Sequence, residues 1–221
     1  MSEVKKPKIS ALLKENPVVA VLRARHALEY APVIEALAQG GVRSIELTLS
    51  TSGVMEQLPT LIDKFGSDVE LGVGTITSAE EAIASLDRGA AYLVTPTVNH
   101  EVVAAACKRG VPVYPGGLTP TELLSGWKSG APAVKLFPAS TVGTRYLAQL
   151  KGPFPDLPII PSGGIEMEDA PAWIAAGSVA VSIGGPLLQD AFKGGNLLEL
   201  TKRARFITKS VHTATQERGA R

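Results

Sequence analysis

The chain has 221 residues, 45% hydrophobic and 19% charged, which suits one folded domain and matches the usual size of a single α/β barrel. Lys and Arg number 22 against 21 Asp and Glu, so the net charge is +1 and a nucleic-acid partner is disfavoured. No apolar run reaches membrane-span length and no apolar leader opens the chain, while the single cysteine, Cys107, excludes an intrachain disulfide and fits a reducing cytoplasm.

In chain order, residues 1 to about 16 read as a short leading helix, followed by a strand at Val18–Leu22. A helix at Leu28–Gln39 ends on Gly40-Gly41, and strands follow at Ser44–Thr48 and Glu70–Val73. Ser78 and Glu81 form a capping-box pattern at the start of a helix at Ala79–Arg88, which Gly89 closes. Next come a strand at Tyr92–Thr95 and a helix at Val98–Lys108 that carries Cys107 as a packing residue and ends at Gly110. Strands at Val111–Tyr114, Ala133–Leu136 and Leu157–Pro161 precede a helix at Ala170–Ala176, closed by Gly177. A last strand at Val179–Ile183 leads to a closing helix from Asn196 to about Thr215, with Gln216 to Arg221 frayed.

Alternating strand and helix units predict a parallel sheet with helical crossovers. With eight strands, the expected architecture is an α/β (β/α)8 TIM barrel with a short N-terminal leading helix, one domain over residues 1–221. An open doubly wound sheet is the competitor, but no G-x-G-x-x-G follows the first strand. Gly72-Val73-Gly74 runs on into Thr-Ile-Thr without a third glycine.

The strand exits carry the chemistry in such a barrel. In order they are Arg23, Glu46, Thr75, Thr95-Pro96, Pro115, Lys135, Ser162-Gly163-Gly164 and Gly184-Gly185. Lys135 lies among Val134, Leu136 and Phe137, where burial strips solvation from the cation and frees the amine as a nucleophile. Glu46 is a carboxylate in the apolar run Ser44–Leu49, either a general acid/base or a salt-bridge partner for Arg23 or Lys135. Glycine pairs after strands seven and eight let backbone N–H groups approach a phosphate, helped by a following helix N-terminus. His26, His100 and His212 are dispersed without ligand spacing, so neither a metal nor another cofactor is expected.

These exits, with their flanks, resemble the 2-keto-3-deoxy-6-phosphogluconate (KDPG) / 4-hydroxy-2-oxoglutarate (KHG) aldolase family from about Pro17 to Phe206. The matching blocks include Val19-Ala20-Val21-Leu22-Arg23, Gly40–Thr48, Gly72–Ile76, Val94-Thr95-Pro96 and Tyr114-Pro115-Gly116. They continue with Thr119–Glu122, Val134–Ala139 and Pro161–Ile165. The resemblance implies a class I (Schiff-base) aldolase, a homotrimer without a metal, with Lys135 forming the imine and Glu46 as acid/base. It implies that Thr75 contacts the pyruvate-derived carboxylate. Pro96 and Phe137, in two of these blocks, are expected to line the substrate site. Better-known members carry an arginine where this chain has Ser50, so Arg23 is expected to take the carboxylate. Some members have a phosphate-binding serine at the position of Pro186, which leaves phosphate to the backbone of Gly163, Gly164, Gly184 and Gly185, beside Ser162.

The expected reaction is cleavage of a small keto-acid, 2-dehydro-3-deoxy-6-phosphogluconate, to pyruvate and glyceraldehyde 3-phosphate. The alternatives are the phosphogalactonate epimer and non-phosphorylated 4-hydroxy-2-oxoglutarate. A sugar-phosphate isomerase would keep the glycine loops without needing Lys135 in a strand. A catalytically silent scaffold barrel would have no use for buried Glu46 and Lys135.

Overall fold

The computed structural model describes residues 7–220. Its strands are β1 (Val18–Leu22), β2 (Ser44–Thr48), β3 (Glu70–Gly74), β4 (Leu93–Val94), β5 (Val113–Tyr114), β6 (Gly116–Gly117), β7 (Val134–Leu136), β8 (Ile159–Pro161) and β9 (Val181–Ile183). The helices are α1 (Ala11–Glu15), α2 (Tyr30–Gln39), α3 (Val54–Phe65), α4 (Ala79–Asp87) and α5 (His100–Lys108). They continue with α6 (Pro120–Lys128), α7 (Gly143–Lys151), α8 (Ala170–Ala175), α9 (Gly185–Leu188) and α10 (Leu197–Gly219).

All described strand pairs are parallel, in a curled six-stranded sheet ordered β5-β4-β3-β2-β1-β9 and a three-stranded sheet ordered β6-β7-β8. The single eight-stranded sheet expected from the sequence is therefore found as two ladders. One break falls at Pro115, which has no N–H to donate and separates β5 from β6. Its carbonyl still accepts from the Lys135 amide at 2.9 Å. At the other seam, Ser162 and Ser182 form an isolated parallel bridge, and the Val179 amide donates to the Ile159 carbonyl at 2.9 Å.

Strand alternation separates two cores. On the convex face, Ala20, Leu22, Ile45, Leu47, Leu71, Val73, Val134 and Leu136 pack under the helices. On the concave face, Val19, Tyr92, Val94, Tyr114, Ala133, Ile160 and Ala180 pack together, and Leu13 from α1 joins them with Ile9. The leading helix thus plugs the end of the sheet opposite the strand exits. Its cap residue Ser10 donates to Glu70 Oε1 at 2.9 Å, and Ser44 donates to the same oxygen at 2.5 Å. Residues 1–6 of the leading segment lie outside the described residues.

Local signals act as expected at several helix ends. The Glu81 amide donates to Ser78 Oγ and the Ser78 amide to Glu81 Oε2, closing the capping box. Gly41, Gly89, Gly110 and Gly177 all take positive φ after their helices, the left-handed stop that glycine permits. Cys107 is half-buried on α5 and packs against the core. The expectation of a frayed tail from Gln216 needs correction. Helix α10 continues to Gly219 because Arg218 donates to the carbonyls of Ile174 (2.9 Å) and Ser178 (2.6 Å), tying the last turn to α8; Arg221 lies outside the described residues. No helix among the described residues is long and apolar enough to cross a membrane.

Candidate active site

Lys135 sits in β7, in the smaller sheet, and Glu46 in β2, in the larger one. Their side chains meet between the two sheets, with Nζ 3.7 Å from Oε1. Lys135 is 8% exposed and Glu46 2%, so the pair is removed from bulk water but open to a cavity above it. Gly74 of β3 creates the space for the carboxylate, since a Cβ there would overlap Glu46 Oε1. Phe137 follows the lysine, and Nζ lies 5.4 Å from its ring centroid. The arrangement offers an amine and a carboxylate within reach of one another, at the edge of a cavity.

The cavity has a volume of about 460 Å³. Lys135, Glu46, Arg23, Thr75, Pro96 and Phe137 all line it. So do Ser162, Gly163, Gly164, Gly184 and Gly185, which completes the set picked out from the sequence. Thr75 stands out for its backbone, with φ +63°, a left-handed conformation that a β-branched residue adopts only under constraint. It occupies the exit of β3 directly after Gly74. Two other exits stay outside the cavity. Thr95 turns its hydroxyl to the Thr97 carbonyl at 2.5 Å and accepts from the Gly116 amide, and Pro115 lies against Gly126 of α6.

The glycine rim is built by close approach. Gly163 (φ +88°) faces the Phe137 ring and Gly164 (φ +69°) faces Ser140, so any side chain at either position would collide. The helices that follow are short. The exit of β8 leads into a 3-10 turn at Met167–Asp169 and the six-residue α8, and β9 leads straight into the four-residue α9. Helix dipoles of that length add little, so an anion here would depend on backbone amides and side chains.

The three histidines do separate jobs. His26 caps a 3-10 turn through Nδ1, His100 opens α5 and contacts Ser125, and His212 contacts Gln216 on α10. Among the described residues no cluster of three His, Cys, Asp or Glu side chains has the spacing to hold a metal ion.

The sequence model of the family described as "KDPG and KHG aldolase" matches residues 9–203. The chain belongs to the KDPG and KHG aldolase family. It is 30% identical over 202 residues to 2-dehydro-3-deoxy-6-phosphogalactonate aldolase of Escherichia coli (strain K12), covering 90% of this chain and 97% of that protein. It is 32% identical over 192 residues to 2-dehydro-3-deoxy-phosphogluconate aldolase of Dickeya dadantii (strain 3937), covering 86% and 88%. Among solved structures, KDPG aldolase from Legionella pneumophila, with pyruvate captured as a covalent carbinolamine intermediate, superposes with a TM-score of 0.81 at 27% identity. That match covers 88% of this chain and 95% of the other.

At Ser50 and Pro186, the two departures singled out by the sequence resemblance, the structure is specific. Ser50 does not line the cavity and its hydroxyl pairs with Thr48 Oγ1 at 3.1 Å, whereas Arg23 does line it. Pro186 lines the cavity in the turn after β9, and Gln189, Phe192 and Lys193 line it just beyond. These three were missed from the sequence, as was Ser182, which accepts from Ser162 Oγ at 3.2 Å. Ser182 had the same signal as Glu46, a polar side chain in an apolar strand. The others sit in a loop with no pattern of its own.

Proposed function

We propose that the protein is a class I aldolase that cleaves 2-dehydro-3-deoxy-6-phosphogluconate reversibly to pyruvate and glyceraldehyde 3-phosphate. The observation that carries this reading is the buried Lys135–Glu46 pair, 3.7 Å apart at the floor of a cavity sized for a small keto-acid. Neutral Lys135 adds to the C2 ketone, and loss of water leaves a protonated imine. Glu46 takes the proton of the C4 hydroxyl; the C3–C4 electrons move into the iminium, and the aldehyde leaves. The resulting enamine takes a proton at C3, and hydrolysis returns pyruvate and the free amine. Arg23 and Thr75 hold the carboxylate so that the ketone faces Nζ, and the backbone at Gly163, Gly164, Gly184 and Gly185 holds the phosphate, with Ser162 beside it.

The fold reading extends in the same way. The two ladders act as one closed (β/α)8 barrel over a single domain. Pro115 bridges one seam, the Ser162–Ser182 pair bridges the other, and Glu46 and Lys135 meet across the interior. A homotrimer in the cytoplasm completes the proposal.

Borohydride reduction with pyruvate tests the chemistry. An adduct mapped by mass spectrometry to Lys135 is expected, and undiminished labelling in a folded Lys135→Ala variant would end the assignment. Initial rates on the phosphogluconate-derived acid, its phosphogalactonate epimer and 4-hydroxy-2-oxoglutarate then rank the substrates, because relatives named for both phosphorylated epimers match at near-equal identity.

A further inference from the structure

The rim of the cavity beyond Gly185 has a composition that the glycine loops alone do not explain. Pro186 has no N–H, so the turn after β9 has one backbone donor fewer than another residue would give it. Two residues with side-chain donors, Gln189 and Lys193, line the cavity immediately after it. Gln189 adopts φ +48°, ψ −111°, a strained backbone for a residue with a side chain. Strain of this kind persists where the surroundings enforce it, and here it brings the chain back over the cavity mouth.

The segment is anchored as well as strained. The Lys193 and Gly195 amides both donate to the Asp190 carbonyl, at 2.7 and 3.0 Å, and Gly194 (φ +82°) ends the turn. Gly195 leaves room for the Asp190 carboxylate, which any side chain there would strike. Phe192 packs edge-on against Tyr30, 5.9 Å between centroids. Tyr30 in turn donates to Thr51 at 2.6 Å, beside the β1 exit where Arg23 emerges. The Lys193 stem therefore springs from a fixed base, which lowers the cost of directing its ammonium to one place.

Charge sets what that ammonium is for. Three cations, Arg23, Lys135 and Lys193, line the cavity against one carboxylate, Glu46. With Lys135 engaged as the protonated imine, Glu46 beside it offsets that charge, which leaves Arg23 and Lys193 to face the substrate's anionic ends. A substrate with a carboxylate at one end and a phosphate at the other carries about two and a half to three negative charges, more than a single arginine balances.

We propose that Lys193 is a specificity-determining residue that selects substrates with a phosphorylated distal end, supplying the charge that Pro186 and the neighbouring glycines do not. This rests on the aldolase reading above, and the tests separate the two. Lys193→Gln and Lys193→Arg variants are compared on the 6-phosphorylated keto-deoxy acid and on the same acid without phosphate. In Lys193→Gln, kcat/KM on the phosphorylated acid should fall about 10- to 100-fold, chiefly through KM, with a much smaller fall on the other. Lys193→Arg should recover most of the loss, and added salt should weaken the wild type more than the Gln variant.

An equal fall on both acids, or none on the phosphorylated one, overturns the proposal. Calorimetric titration with inorganic phosphate reads the anion site without any imine chemistry. Binding weakened in Lys193→Gln supports the proposal even where pyruvate trapping fails and the aldolase reading falls. Phosphate binding unchanged by the substitution overturns it even where trapping succeeds.

Discussion

Gly74→Ala is the sharpest test of the site's geometry, because one methyl group is aimed at one carboxylate. A Cβ built at Gly74 lies 2.5 Å from both Cγ and Cδ of Glu46, and closer still to Oε1. Ordinary contact begins near 3.4 Å, so the carboxylate carbon has to retreat by about 0.9 Å, away from β3. A misplacement of about 1 Å in a catalytic group costs on the order of 10²-fold in rate. We therefore expect kcat/KM for aldol cleavage to drop roughly 100-fold, with a stability loss of about 1–3 kcal/mol from overpacking. Pyruvate trapping on Lys135 should survive, since the amine is untouched. Gly72→Ala is the matched control: two residues earlier on the same strand, its Cβ would meet the Tyr92 ring instead. It should destabilise to a similar degree while folded protein keeps its turnover. Steady-state kinetics with urea unfolding on both variants decides the matter. Full activity in Gly74→Ala, or equal activity losses in the two, would refute the placement of Glu46 as the proton-transfer group.

Three further outcomes follow from the same geometry. Lys135→Met should cost about 3–5 kcal/mol by leaving Glu46 buried without its partner, and Lys135→Met/Glu46→Gln should recover part of that; chemical denaturation of the two variants gives the comparison, and additive losses would count against a coupled pair. Tyr92 and Tyr114 are buried with no hydrogen-bond partner for either hydroxyl among the described residues, and burial raises both phenols above the ordinary 10.0, Tyr92 far above it. A raised folded value means stability present below about pH 10 and lost above it, about 1.4 kcal/mol per pH unit for each tyrosine. Tyr92→Phe and Tyr114→Phe should each flatten that alkaline slope in urea titrations from about pH 9 to about pH 11, and an unchanged slope would contradict the assignment. Thr75→Gly should relieve the left-handed backbone and raise Tm, while weakening pyruvate capture measured by the trapping rate; a fall in Tm would show that the hydroxyl, not φ, dominates there.

Much of this was legible in the sequence because parallel strands buried on both faces must be apolar, so each polar interruption has meaning. Glu46 and Lys135 stand out for that reason, and the expected bounds of β1 and β2 match the structure to the residue. Ser182 obeys the same rule but is absent from the expected site. The shorter strands were drawn too long: Tyr92–Thr95 shrinks to Leu93–Val94, because strong curling leaves few residues of a strand in register with a neighbour. Helices α3, α6 and α7 were not read, since Pro59 interrupts the pattern of the first and Gly126 that of the second. The segment from Gln189 to Lys193 was illegible for a different reason. Its place over the cavity depends on the strained turn at Gln189 and on Phe192 reaching Tyr30, contacts between residues far apart in the chain.

The floor of the cavity also constrains how protons travel. Beneath Lys135 and Glu46 lies a void of about 10 Å³, lined besides by Val19, Val94, Tyr114, Ile160 and Ser182. That volume is at the lower limit for one water molecule, and below it Leu13 and Ile9 close the end of the concave core. Among the described residues, apolar side chains of the concave core pack on that side of the pair. In the proposed reaction, the proton that Glu46 would take from the substrate hydroxyl has its open path toward the cavity, where the enamine would stand. On the proposed mechanism, a base packed from below by apolar residues and open toward the cavity returns its proton to the enamine carbon.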